Sequence, residues 1–448
     1  MTEFDLDKQT IKDLEIFVDN RSANSISNFY SQTKTMGGRR FLHQLMKNPI
    51  TDINELGQRT ALIQFISETG FDLPISSGQF EFIEHYKRLN TAPLRNNFVD
   101  AFLQNLSYRI NPNNTYYIIK TGVQQLVYLM VQLKEKFEGL TETEIPAKLA
   151  FIQKEILELT QHRNFKAIYT KRLKISWPLL NKLDQLFRKK YKNKLHKIIE
   201  LIYSLDAFIS IAKVAGQKQL AFPEYTDSSS PSLLLEAFYH PLINNAVPYS
   251  INIQEPSNLC FLTGPNMAGK STFLKSVGLA VYLAHIGFPV PAKKMTTSIY
   301  NGLITTINLS DDINLGYSHF YSEVHRIKET VLKIKNKKRL FVIFDELFRG
   351  TNVKDAFDGS LLIIKSFANI PESTFFISTH ITEVAEKINH LKNIQFKFFD
   401  SKLVDNIPVY EYKLENGISH ERLGMYILRK EKIIEILDSL TTDEKCKT

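Results

Sequence analysis

The sequence predicts a mostly α-helical first half followed by an α/β second half, and three observations predict it. Residues 1–215 show long stretches of helical periodicity with few Gly or Pro. A polar, turn-rich segment interrupts the chain at 216–232. Beyond it, short apolar runs alternate with helical stretches. At 448 residues the chain exceeds the roughly 250–300 residues at which a single core stops growing, so two domains are expected. The best boundary is Ser228-Ser229-Ser230-Pro231, which divides the chain into 1–230 and 231–448.

The helical half is clearest at its end. Leu183, Phe187, Tyr191, Leu195, Ile198, Ile202, Leu205, Ile209 and Ala212 step by three or four residues and so share one helix face. Ser176 suits an N-cap, Pro178 the first turn, and Gly216 the position just past the last turn. Together they predict one continuous helix between Ser176 and Gly216, far longer than the average of about 11–12 residues. In the second half, Leu259–Thr263, Leu340–Phe344 and Thr374–Ser378 read as buried parallel strands.

Composition narrows the function classes. With 43% hydrophobic and 23% charged residues, the chain is not a disordered one. Its two cysteines, Cys260 and Cys446, exclude a disulfide scaffold and a four-cysteine zinc site and fit a reducing, cytoplasmic location. Met1–Asp7 is acidic and unlike a secretory leader. No uninterrupted apolar run of about 18 residues occurs, so no membrane insertion is expected. The net charge of +9 is uneven. Residues 171–200 hold ten Lys/Arg and two acids, and the remainder is nearly neutral. This segment is either a surface for nucleic-acid phosphates or a solvated helix face.

The chemistry concentrates at Gly264-Pro265-Asn266-Met267-Ala268-Gly269-Lys270-Ser271, followed by Thr272. The run fits GxxxxGK[ST] and lies between a predicted strand and a predicted helix, which is the setting of a phosphate-binding loop. Glycines let backbone N–H groups surround phosphates, Lys270 would neutralise them, and the Ser271 hydroxyl would ligate Mg²⁺ beside ATP. Downstream, Asp345 and Glu346 end the strand Leu340–Phe344. Ligands of α/β sheets bind at strand C-termini, so Asp345 would complete the Mg²⁺ shell and Glu346 would orient the attacking water. His380 ends the third strand and could sense a γ-phosphate. Ser310–Phe320, containing Gly316 and Ser318, reads from its residues alone as a loop and a helix cap.

Taken together, 264–275, the stretch Asp345–Gly359 and Ser378-Thr379-His380 resemble the ATPase domain of the MutS mismatch-repair family, an ABC-type P-loop ATPase. Ser310–Val324 resembles its signature segment, and 414–424 its closing segment. Leu14–Phe17, Thr35–Arg40, Asn48–Ile50, Glu55 with Arg59, and Ser204–Ala212 resemble its helical lever (core) domain. The resemblance implies a lever followed by an ATPase, a homodimer formed through the ATPase domain, and Ser318 reaching the partner's nucleotide. It implies DNA as the usual ligand. The family's mismatch-reading domain and clamp have no counterpart here. Val247 or Tyr249 stands where an adenine-stacking aromatic is expected. The other reading is an ATP-driven scaffold or assembly protein that does not contact DNA.

Overall fold

A computed structural model describes residues 4–18, 24–111, 113–141, 144–169, 175–228, 230–265, 267–307, 319–348, 350–404, 407–419 and 433. Strand β1 (Asp5–Leu6) and helix α1 (Lys8–Asp13) come first. Among the described residues nine α-helices follow: α2 (Ile26–Phe29), α3 (Met36–Lys47), α4 (Ile53–Thr69), α5 (Ser77–Lys87), α6 (Phe98–Ile110), α7 (Asn114–Glu138), α8 (Ala147–Thr160), α9 (Trp177–Gln185) and α10 (Lys192–Lys218). Most start for a local reason. Ser25, Thr35, Asp52, Ser76, Asn97 and Asn113 each accept a backbone N–H of the turn they open. Helix α10 is the spine of this half, packing on α3, α4 and α8. Its buried Asp206 accepts the N–H groups of Lys34 and Thr35 at 2.9 and 2.8 Å, which locks the start of α3 to it.

The long helix expected from Ser176 to Gly216 is divided. A π-helical turn at Leu186–Lys190 follows α9, and Tyr191, at φ −112° and ψ 17°, separates it from α10. The reason lies in the spacing. Leu183, Phe187, Tyr191 and Leu195 are four apart, and each such step turns about 40° past a full α-helical turn. A π turn absorbs that drift and keeps Leu183, Phe187 and Leu195 buried together. Arg188 reinforces it by gripping the buried Asp184 through Nε and Nη2, both at 2.7 Å. At the other end, α10 runs through Gly216 and stops at Lys218, with Gln219 in the left-handed region at φ 53°. A lone glycine costs a helix only about 1 kcal/mol. Burial of Val214 and Ala215 outweighs it.

The α/β half contains β2 (Glu224–Thr226), β3 (Leu233–Phe238), β4 (Tyr249–Ile253), β5 (Leu259–Thr263), α11 (Lys270–His285), β6 (Lys294–Ser298) and β7 (Gly302–Thr306). It continues with α12 (His319–Asn336), β8 (Leu340–Phe344), α13 (Val353–Ala368), β9 (Thr374–Ser378), α14 (Thr382–Ile388), β10 (Ile394–Val404) and β11 (Ile407–Asn416). The three expected strands are β5, β8 and β9, each buried along its whole length. A seven-stranded sheet runs β1-β7-β8-β9-β5-β10-β11, parallel except for β11. A smaller sheet runs β2-β6-β3-β4. The larger sheet thus takes its first strand from residues 5–6, and the expected boundary at 228–231 falls between β2 and β3. One hydrophobic core runs from the helical half into α11 and the smaller sheet, and a second fills the opposite face of the large sheet. Among the described residues no helix is long and apolar enough to cross a membrane.

Candidate nucleotide-binding site

Strand order assembles the site. Because β9 lies between β5 and β8, the loop after β5, the Asp345-Glu346 pair after β8 and the end of β9 meet at one edge of the sheet. The loop leaves β5 through Gly264 at φ 140°, where a Cβ would come within 2.8 Å of the Phe399 carbonyl oxygen. Only glycine fits there. Gly269, at φ 108°, starts α11. The buried Lys270 ammonium donates to the carbonyls of Gly264 and Pro265 at 2.8 and 3.0 Å and lies 3.9 Å from Glu346 Oε1. The Ser271 hydroxyl donates to Asp345 Oδ2, and the Ser378 hydroxyl donates to Asp345 Oδ1. The Glu346 N–H donates to the Ser378 carbonyl and hydroxyl at 3.1 and 3.0 Å. This holds Glu346 at φ 56°, a left-handed conformation costly for a glutamate. His380 Nδ1 is 3.9 Å from Glu346 Oε2, with its side chain half exposed.

The structure therefore brings Gly264, Pro265, Gly269, Lys270, Ser271, Asp345, Glu346 and His380 together. Ala268 is buried beneath the loop, and Met267 and Thr272 face a cavity beside it. Asn266, Ser318 and the basic residues Lys171, Arg172 and Lys174 lie outside the described residues. The hydroxyl of Ser271 and the carboxylate of Asp345 are oxygen donors in contact, a pair suited to a small hard cation.

The cavity has a volume of about 500 Å³ and runs from Lys270 and Glu346 to Val247, Tyr249 and Tyr412. Both residues considered for the adenine face line it, but differently. Tyr249 is buried, with Phe238, Phe273 and Phe399 against its ring. Burial raises its hydroxyl pKa to about 12. Tyr412 is more exposed, held at φ 53° on β11, and is the lining aromatic with an accessible ring. Sequence reasoning missed it because nothing local in the β11 sequence marks it. It also missed His240, a buried member of the same lining whose two ring nitrogens have no partner among the described residues. Burial lowers the His240 pKa to about 4, so it is neutral.

Residues 5–16 clasp the same half from outside. The buried Asp13 accepts from the Thr305 hydroxyl at 2.7 Å and from the Ile307 N–H at 3.0 Å, at the end of β7. Arg326 of α12 pairs with Asp7 at 2.7 Å, and Lys275 of α11 pairs with Glu15 at 2.7 Å. Burial alone would raise the Asp7 carboxyl. The hydrogen bond and charge of Arg326, with help from Thr10, outweigh it and hold the pKa at about 2.

The basic segment is partly neutralised. Arg188 pairs with Asp184, Lys194 with Glu158 and Lys197 with Glu155. Lys182, Lys189, Lys190 and Lys192 are exposed and have no acidic partner among the described residues.

Two family descriptions match the chain: MutS domain III over residues 9–212 and MutS domain V over residues 260–440. The DNA mismatch repair protein MutS of Petrotoga mobilis is 24% identical over 376 residues, 82% of this chain and 46% of that protein. MutS of Streptococcus sanguinis is 26% identical over 264 residues, 56% of this chain and 30% of that protein. The MutS protein homolog 4 of Mus musculus is 30% identical over 262 residues, 56% of this chain and 26% of that protein. In each case the match spans less than half of the relative's length. The site built from Gly264–Ser271, Asp345 and Glu346 falls within the domain V match, and the domain III match covers most of the helical half, so the chain belongs to the MutS family.

Proposed function

We propose that this chain binds ATP at the cavity beside Lys270 and hydrolyses it, with residues 1–230 acting as a lever and 231–448 as the ATPase. One observation carries the reading: Lys270, Ser271 and Glu346 line a single cavity large enough for a nucleotide, with Asp345 hydrogen-bonded to Ser271. Loop N–H groups and the start of α11 would receive the phosphates. Lys270 would exchange its two carbonyl contacts for phosphate oxygens. Ser271 and Asp345 would hold Mg²⁺, whose chemistry is to neutralise charge between the terminal phosphates. Glu346 would orient the attacking water, and His380, beside it, would bond to the γ-phosphate. Ser318 would act across a homodimer formed by two ATPase halves, so that ATP joins the subunits and hydrolysis releases them.

Lys270→Ala should abolish both ATP binding and turnover. Glu346→Ala should bind ATP, lose turnover by at least about a hundredfold, and accumulate as a dimer. Measured by nucleotide binding, phosphate release and sedimentation, wild-type turnover in either variant would sink the assignment.

DNA is the proposed ligand of the lever, through Lys182, Lys189, Lys190 and Lys192, in a reducing, cytoplasmic setting. The internal pairing of Arg188, Lys194 and Lys197 supports the rival reading, a scaffold without DNA contact. Reversing Lys189, Lys190 and Lys192 to Glu should weaken duplex binding. It should also flatten the salt dependence by about one unit of log–log slope for each phosphate left unneutralised. An unchanged slope would favour the scaffold.

A further inference from the structure

Helix α6 is docked by the wrong side for an ordinary surface helix. Phe98, Phe102, Leu106 and Ile110 recur every four residues along it, with Val99 and Leu103 beside them. All six are exposed, from 42% at Leu106 to 77% at Ile110. Phe98 and Phe102 touch the Trp177 ring of α9 at the margin of the stripe, and the rest of the packing comes from the opposite side. Ala101 is buried, Tyr108 packs its ring at a tilt against Tyr116 of α7, and the Gln104 side-chain oxygen accepts from the Asn181 amide of α9. A surface helix normally buries its apolar stripe.

The exposed apolar area of these six side chains is on the order of 600 Å², the upper end of what a monomer usually shows. Two such faces pressed together would bury on the order of 1,200 Å², which reaches the lower bound for a stable protein interface. The charges on the helix and the turn before it do not suit a polyanion. Arg95 and Asp100 pair at 3.8 Å, leaving Arg109. An anionic lipid surface or a phosphate backbone needs several basic residues on the face itself, and α6 carries one, Arg109. The stripe also matches itself. Turned antiparallel about a two-fold axis at the level of Gln104, it sets Phe102 against Leu106 at the centre, as an isologous contact requires.

We propose that α6 is a self-association face, joining two copies of this chain through an antiparallel α6–α6 contact. Helix α6 is held by α7 and α9, and its exposed face includes none of the nucleotide-binding residues, so it stands apart from any dimer formed through the ATPase halves.

The chain has one tryptophan, Trp177, and its ring lies 4.7 Å from Phe98 and 6.0 Å from Phe102, so its emission reports on this face. The test uses the full chain without nucleotide, followed by sedimentation and Trp177 emission from high nanomolar to tens of micromolar. Wild type should associate, with a blue shift tracking the dimer, and Lys270→Ala should do the same. Phe102→Glu with Leu106→Glu should weaken association by about a hundredfold or more. Leu103→Lys should weaken it less, and all variants should keep the wild-type circular dichroism. A wild type that stays monomeric over this range overturns the proposal. So does association unchanged in folded variants. A Trp177 shift produced by phosphatidylserine-containing vesicles, but not by protein concentration, overturns it in favour of a lipid surface. Failure of ATP-dependent dimerisation alone would count against the ATPase reading, because this experiment contains no nucleotide.

Discussion

Ser378 shows how much of the site a residue-level reading reaches. Lys270, Ser271, Asp345 and Glu346 are legible in sequence because their chemistry fixes residue type at a short spacing within one loop or one strand end. Ser378 is legible as the end of a strand and as part of the Ser378-Thr379-His380 motif, but not as a partner of Asp345. Its hydrogen bonds to Asp345 and to the Glu346 N–H exist because β9 inserts between β8 and β5, and strand order is not written in local sequence. Tyr412 and His240 are illegible for the same reason, since each reaches the cavity from a strand or loop distant in the chain. The relay predicts a specific defect. In Ser378→Ala, Asp345 loses a donor that orients it toward Ser271, and removing such a supporting hydrogen bond typically weakens metal affinity 10–100-fold. The Mg²⁺ concentration for half-maximal ATP turnover should therefore rise by roughly tenfold, with ATP binding measured without metal nearly unchanged. A Mg²⁺ titration superimposable on wild type would remove Ser378 from the metal shell.

Residues 5–16 carry the lesson at the level of elements. Periodicity identifies the helices and the apolar strands, but a two-residue strand such as β1 has no period to detect. Its pairing with β7, and the grip of Asp7 and Asp13 on α12 and β7, emerge only from the assembled sheet. The long helix departs from expectation for the opposite reason. Its pattern reads as one period, yet the four-residue spacing within it forces a π turn. The clasp has a pH signature. The Asp7 pKa is lowered from its ordinary 3.8 to about 2, so its contribution is present above the ordinary value and is lost as pH falls through the folded one. A shift of that size corresponds to about 2 kcal/mol. Asp7→Asn should therefore be less stable than wild type by about that amount at neutral pH, and the gap should close between about pH 4 and pH 2. Denaturant melts across that range would contradict the clasp if the gap were constant.

At the scale of the whole molecule, the helical half and the sheet share one core, so a group buried on either side taxes the entire fold. His285 and His240 are two such groups. His285 lies fully buried at the end of α11, its Nε2 accepting the Tyr300 N–H at 2.9 Å. The proton must then sit on Nδ1, which donates to the Val281 carbonyl at 2.8 Å. Both nitrogens are thus satisfied only in the neutral ring, and a second proton would face the Tyr300 N–H. Burial holds the pKa of each histidine at about 4 against an ordinary 6.5. The sign follows directly. As pH falls below 6.5 the unfolded chain takes up protons that the folded chain refuses, so stability declines, and the decline ends near pH 4, where both states are protonated. At about pH 5 each histidine should cost about 2 kcal/mol relative to pH 7. Wild type should accordingly lose about 4 kcal/mol over that interval, and His240→Leu, which removes one of the two groups, about half as much. Urea melts at the two pH values decide the matter. Equal losses in wild type and variant would mean that His240 is protonated in the folded state, and that the wall of the cavity opens to water near Tyr249 and Tyr412.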